Sequence, residues 1–234
     1  MQKPANQTKV AILGASRGLG LCLARQLQLD PEVQSILAIS RKPLAEPDLS
    51  KSRPFVFDLA SEDLQPLFAE LELFQPNVII YSAGGGPFAK FENSKWQSHQ
   101  WAFQVTFLSV AKILHWYLAR PQANIGQQFV ALGSSIAESQ GDSQASSYAS
   151  AKHALLGLYQ SIQMEQPRID FRLFSPGYMN TDLLPKGSWP RLQKHELWEP
   201  EKVARLLWSW AKDSAQLGGH MSLSQFADTP RNAH

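Results

Sequence analysis

The chain has 234 residues, 44% hydrophobic and 18% charged, enough for one sizeable core and too apolar for a disordered segment. Its 22 basic and 20 acidic residues leave a net charge of +2, too small a surplus to point to nucleic acid or an anionic membrane. The lone Cys22 excludes an intramolecular disulfide framework and a cysteine-rich zinc site. No apolar run approaches a membrane span, and the start Met1 to Lys9 lacks a signal peptide's apolar stretch, so a cytoplasmic protein is expected.

Val10 to Leu13 reads as a short buried strand ending at a glycine. Leu19 to Leu29 carries apolar residues at helical spacing and stops at Asp30-Pro31. Ser35 to Ile39 and Phe55 to Phe57 read as strands, Leu64 to Phe74 as helix, and Val78 to Tyr81 as strand. A long helix is predicted from about Trp96 to Leu118, then a strand over Gln128 to Leu132 and a helix over Tyr148 to Met164. Phe171 to Phe174 is a further strand, Pro200 opens a last helix to about Lys212, and Gly218 to Ser224 is a candidate last strand. The residues from Asp228 to His234 read as a frayed end. Buried strands alternating with helices imply a parallel sheet covered on both faces: a Rossmann-like, doubly wound α/β fold in a single domain over 1–234. Ligands of such folds sit beyond the carboxyl ends of the strands.

The first strand runs into Gly14-Ala-Ser-Arg-Gly18-Leu-Gly20 and then a helix. A pyrophosphate needs backbone N–H donors at close range, which a Cβ blocks, and it gains from the positive end of the following helix. The second strand ends Ser40-Arg41-Lys42, without the acid that accepts from an unphosphorylated adenosine ribose. Arg41, with Arg17 from the glycine loop, suits a 2′-phosphate, so NADP(H) is expected over NAD(H). Asp58 after the third strand is a candidate acceptor for the adenine amino group, or a local cap.

Tyr148 and Lys152 lie four apart on a predicted helix and share a face. A free tyrosine, with pKa about 10, is a poor base at neutral pH, and a neighbouring ammonium lowers that value. Such a tyrosine protonates a carbonyl oxygen as hydride arrives, or deprotonates an alcohol in reverse. Tyr-x-x-x-Lys alone arises by chance roughly 0.3 times in a chain of this composition, so its context decides. Ser134-Ser135 follows a predicted strand, and a serine there suits the substrate oxygen.

In order along the chain, these residues resemble the short-chain dehydrogenases/reductases, in their short single-domain branch. The resemblance makes Gly14, Gly18 and Gly20, with Ser16, Arg17 and Leu19 between them, the coenzyme loop. It places Ser40 and Arg41, Asp58 and Leu59, and Ala83, Gly84 and Gly85 along the coenzyme. Pro176, Gly177, Met179 and Thr181 hold the nicotinamide end. Tyr148 becomes the general acid/base, Lys152 holds the nicotinamide ribose and lowers the tyrosine pKa, and Ser135, thirteen residues before Tyr148, orients the substrate carbonyl.

Three positions depart from the family pattern. Leu13 replaces a threonine and Tyr81-Ser82 an Asn-Asn pair that brace neighbouring strands. Losing both halves of a hydrogen bond is nearly neutral, so structural drift is expected. Thr106, with Gln104 as the alternative register, stands where the family has an asparagine whose carbonyl anchors a water leading to the lysine. It is counted as a catalytic position, its main chain available for that contact.

Candidate substrate walls are Phe88, Ile136, Gln140, Tyr178, Leu183 and Trp189, under a lid of about 182–198. Its Lys186, Arg191, Lys194 and His195, with Trp189 and Trp198, suit a hydrophobic or anionic carbonyl, or equally a solvated helix with two packing tryptophans. Trp96, Trp101, Trp116, Trp208 and Trp210, at helical positions, are expected in core or interface. The histidines lack metal-ligand spacing, and no metal is expected. The resemblance implies pairing of the two long helices in a homodimer or homotetramer, a small carbonyl or alcohol substrate, and neither a nucleic acid nor a membrane partner. The leading expectation is an NADP(H)-dependent oxidoreductase. The alternative is a non-catalytic NADP(H)-sensing protein on the same fold, and a distant third is an epimerase or dehydratase.

Overall fold

A computed structural model describes residues 8–44, 48–121, 127–138, 142–192 and 197–223. Seven parallel strands form one sheet: β1 (Thr8–Leu13), β2 (Val33–Ser40), β3 (Ser52–Val56), β4 (Val78–Tyr81), β5 (Gln128–Leu132), β6 (Asp170–Ser175) and β7 (His220–Ser222). Their order across the sheet is β3-β2-β1-β4-β5-β6-β7. Successive side chains of a strand point to opposite faces, and each face has its own core. Ala11, Leu13, Ile79, Tyr81, Phe129 and Phe171 meet α2 (Gln65–Phe74), α4 (Ser109–Ala119) and α5 (Ser146–Met164). Val10, Ile12, Ile80, Val130 and Phe174 meet α1 (Gly18–Gln28) and α7 (Pro200–Lys212). α3 (Trp96–Phe103) and the four-residue α6 (Trp189–Leu192) flank the carboxyl ends of the strands.

The elements match the expected ones within a few residues, with one exception. The helix predicted from Trp96 to Leu118 is interrupted at Gln104–Leu108 by a turn of π-helix. A π-turn widens the ring of main-chain bonds and occurs mostly at functional sites. Two side chains from neighbouring elements bond into this region. The Tyr81 hydroxyl donates to the Val105 carbonyl at 2.6 Å. Thr106 Oγ1 both accepts from the Gly85 N–H and donates to the Gly85 carbonyl, each at 3.1 Å.

β6 carries two charges into the interior. Buried Arg172 bonds Asp170 Oδ2 through Nε at 2.8 Å, and its Nη atoms donate to the Trp210 and Asp213 carbonyls at 2.7 and 3.0 Å. Gln128 donates to the same carboxylate at 2.7 Å. A buried pair of this kind is tolerated because its remaining donors and lone pairs are satisfied. It ties β5 and β6 to the end of α7, at the edge of the sheet opposite the cleft. Among the described residues no helix is long and apolar enough to cross a membrane. No group of three or more His, Cys, Asp or Glu residues there can hold a metal.

Candidate active site

The chain leaves β1 toward β2 on one side and β4 on the other, so a crevice opens at the carboxyl end of β1. The main chain lines it. The Gly14 and Ala15 N–H groups bond the Ile39 carbonyl, while the Ser82 and Ala83 N–H groups bond the Leu13 carbonyl. Two glycines are required by space. At Gly14, with φ +99°, a Cβ would lie 2.7 Å from the Ala83 amide nitrogen. At Gly20 it would lie 2.0 Å from the Gly14 carbonyl oxygen, so α1 packs directly on the loop before it.

The cleft runs past this loop. Gly14, Ser16, Arg17, Gly18, Leu19 and Gly20 form one wall, with Ser40 and Arg41 beyond the end of β2 and Asp58 and Leu59 after β3. Ala83 and Gly84 follow β4, and the far end is closed by Tyr148, Lys152, Pro176, Met179 and Thr181. A second pocket begins at Tyr148, which lines both.

Tyr148 and Lys152 come together as their spacing predicts. Lys152 Nζ lies 5.5 Å from the Tyr148 ring centroid and donates to the Leu132 carbonyl at 2.5 Å. The first turn of α5 is pinned by buried His99. The Phe91 carbonyl takes an N–H from its Nε2 at 3.1 Å, leaving Nδ1 to accept from Ser147 at 2.5 Å. Burial holds the Tyr148 hydroxyl up at about 12; a hydrogen bond from Ser134 opposes this rise and the Asp142 carboxylate adds to it. Burial also brings Lys152 down to about 7. Desolvation sets the direction for both groups: it raises the tyrosine and holds the lysine toward neutrality.

The family model for short chain dehydrogenase matches residues 8–189. The chain belongs to the short-chain dehydrogenase family. A search of curated proteins finds no match. Among solved structures, a short-chain dehydrogenase/reductase from Serratia marcescens is 21% identical, with a TM-score of 0.76 over 94% of this chain and 98% of that one. A 4-hydroxyisoleucine dehydrogenase complexed with NADH is 18% identical, with a TM-score of 0.78 over 92% and 96%. A short chain dehydrogenase from Burkholderia cenocepacia in complex with NADP is 16% identical, with a TM-score of 0.76 over 93% and 96%.

Against the short-chain dehydrogenase pattern, several positions fall elsewhere than expected. Ser134 bonds Tyr148 and lines the second pocket. Ser135 lines neither the cleft nor that pocket; it is buried at the start of a 3-10 turn, its N–H on the Pro176 carbonyl. Thr106 lies outside the cleft lining, fully buried, and its hydroxyl braces the loop after β4 through Gly85. Gly85 itself is set back from the cleft, under the Trp101 ring. Gly177 lines the second pocket, where Leu223 and Trp198 leave no space for a Cβ. Asp58 Oδ1 accepts from the Ala60 N–H at 3.0 Å, closing a local turn while the residue still lines the cleft.

The residues at the changed strand positions make contacts of their own. Ser82 Oγ donates to the Leu13 and Gly14 carbonyls, both at 3.1 Å, and Tyr81 holds the π-turn. Trp101, expected in core or interface, lines the cleft with Arg41 5.8 Å from its ring. Val105, one turn further on, lines it too, and that i, i+4 spacing was the available signal. The lid's Arg191 does not face a ligand: it donates to the Leu184 and Thr181 carbonyls and to Asn180 Oδ1, at 2.9 to 3.0 Å, stapling the segment after Thr181. Phe88, Ile136, Tyr178, Leu183 and Trp189 line the second pocket as expected. Gln140, Lys194, His195 and Asp228 to His234 lie outside the described residues.

Proposed function

We propose that the chain catalyses hydride transfer between NADP(H) and a small carbonyl or alcohol, with Tyr148 as general acid/base. The observation that carries this reading is the place of Tyr148 at the junction of a coenzyme-sized cleft and an apolar pocket, with Lys152 one helical turn behind it.

The residues present fit a dinucleotide. The Gly14–Gly20 loop admits a pyrophosphate because its backbone is bare where a Cβ would intrude. Arg17 and Arg41 line the cleft where β2 ends without an acid, which supports NADP(H) over NAD(H). Asp58 and Leu59 would take the adenine end, and Met179 and Thr181 the nicotinamide end. The bound coenzyme supplies or accepts the hydride.

The chain's own residues handle the proton. A tyrosine held near 12 is protonated at neutral pH, and so it is set to donate to a carbonyl oxygen. Ser134, bonded to the same phenol, would hold that oxygen and share its growing charge. Lys152, with its pKa near 7, can take up a proton as the phenolate forms and so offset the charge. A homodimer or homotetramer belongs to the same reading, supported by exposed Trp96, Phe103 and Leu108 along one helix.

The test follows NADPH absorbance with a panel of ketones and aldehydes, with wild type beside Tyr148→Phe and NADH as coenzyme control. Turnover that is lost in the variant while NADPH binding persists is expected. NADPH binding without turnover by wild type would shift the reading to a coenzyme sensor, and preference for NADH would reverse the assignment of Arg17 and Arg41.

A further inference from the structure

Tyr148 stands on a helix end that its own sequence leaves uncapped. It is the third residue of α5, and the N–H groups of a helix's first turn have no intrahelical partner. A side chain at the N-cap ordinarily ties such a turn. Here that position is Ala145, which makes no cap bond, and no acidic residue stands in the first turn. A phenol that must meet a reacting oxygen works only where its backbone is fixed to a fraction of an ångström. The order of this turn therefore has to come from outside the helix.

α3 supplies it. His99 is 5% exposed, its ring 4.5 Å from that of Phe91 and 5.9 Å from that of Trp96. The Phe91 carbonyl can only accept, so Nε2 carries the ring proton across that 3.1 Å contact. Nδ1 is left to accept from the hydroxyl of Ser147, at 2.5 Å. Ser147 is the residue before Tyr148 and is itself buried. Gly86 packs between α3 and the same turn: a Cβ there would lie 3.3 Å from both the Ala102 and the Tyr148 Cβ atoms. The turn thus rests against α3 and the loop after β4, and the Ser147 bond sets its rotation there.

We propose that His99 is a positioning residue for the proton transfer, an inference that rests on the reductase reading above. Its Nδ1 takes the place of the missing cap: by holding Ser147 it fixes the direction of Tyr148 at the junction of the two pockets. The Phe91 bond selects the tautomer that leaves Nδ1 free to accept. His99 is not among the described lining residues of either pocket, so it acts on the reaction through Ser147 and the helix.

Two amide substitutions separate the two nitrogens. Asparagine places its amide where Nδ1 stands and can keep the Ser147 bond, while glutamine reaches the place of Nε2 and can keep the Phe91 bond. The assay is NADPH-dependent reduction of whichever ketone of the panel wild type turns over fastest. His99→Gln and Ser147→Ala should each lower kcat about tenfold, with KM for the ketone and NADPH affinity kept within about twofold. His99→Asn should keep kcat within about twofold. Both His99 variants leave one partner unmet, so their Tm values should fall alike, by about 3 °C, and the melts confirm folding. Adding His99→Gln to Ser147→Ala should cost no further kcat. Amide exchange over residues 145–155, followed by mass spectrometry, should quicken in His99→Gln and Ser147→Ala and not in His99→Asn. Equal kcat losses in the two amide variants, a kcat unchanged in His99→Gln or Ser147→Ala, a raised KM in place of a lowered kcat, or unchanged exchange would overturn the inference and leave the reductase reading standing. No turnover by wild type would overturn the reductase reading, and the exchange pattern would then decide by itself whether His99 orders the turn that carries Tyr148.

Discussion

The two ends of the cleft are made of different material. Around Gly14, Gly20 and Ala83 the lining is main chain, packed until no side-chain atom fits. Around Tyr148 and Lys152 it is side chains, buried and joined through Ser134 and the Leu132 carbonyl. The first region works by shape, so it should tolerate changes of chemistry and fail on added volume. The second works by functional group, so removal of one atom should matter more there than a change of volume.

The sharpest test of this contrast is Tyr148→Phe, which deletes one oxygen. It should cost about 10³-fold in kcat/KM while leaving NADPH affinity within about twofold, by absorbance assay and fluorescence titration. Ser134→Ala should cost about 10²-fold in kcat, against less than about threefold for Ser135→Ala; equal losses would break the assignment of the facing serine. At the other end, Gly14→Ala adds one carbon at positive φ beside the Ala83 backbone. It should weaken NADPH about 30-fold and lower Tm, with much of kcat kept at saturating coenzyme. Arg41→Ala should weaken NADPH about tenfold and NADH little, read as the ratio of the two dissociation constants. The smallest effect concerns the coenzyme-free protein. Lys152 loses its proton near 7 in the fold and near 10.5 unfolded, so between these values the unfolded chain binds more protons. Stability should rise with pH across that window, the full cost of the buried charge being present below it. Lys152→Met should abolish the rise in Tm.

The architecture was legible because each strand is a short buried run bounded by a turn or a glycine, and because the glycine loop sits where only bare backbone fits. The Tyr148–Lys152 pair was legible because helical spacing alone puts them on one face. The choice between Ser134 and Ser135 was not. Ser134 is the last extended residue before a 3-10 turn, and adjacent residues at such a boundary face opposite ways, so spacing from Tyr148 alone does not say which serine faces the phenol. Trp101 was placed in core or interface because helical periodicity identifies a face but not what the face meets.

The π-turn at Gln104–Leu108 acts like a dislocation in a crystal. Each helical residue advances about 100°, so one extra residue sets the two halves of a helix out of phase. Ahead of it Trp101 is turned toward the cleft, within it Val105 lines the same cleft, and behind it Ile113, Leu114 and Tyr117 are turned into the sheet core. Residue count in this stretch is then an angular setting. A one-residue deletion between Gln104 and Leu108 would turn Trp101 relative to the cleft, while the same deletion in a surface loop would change nothing comparable.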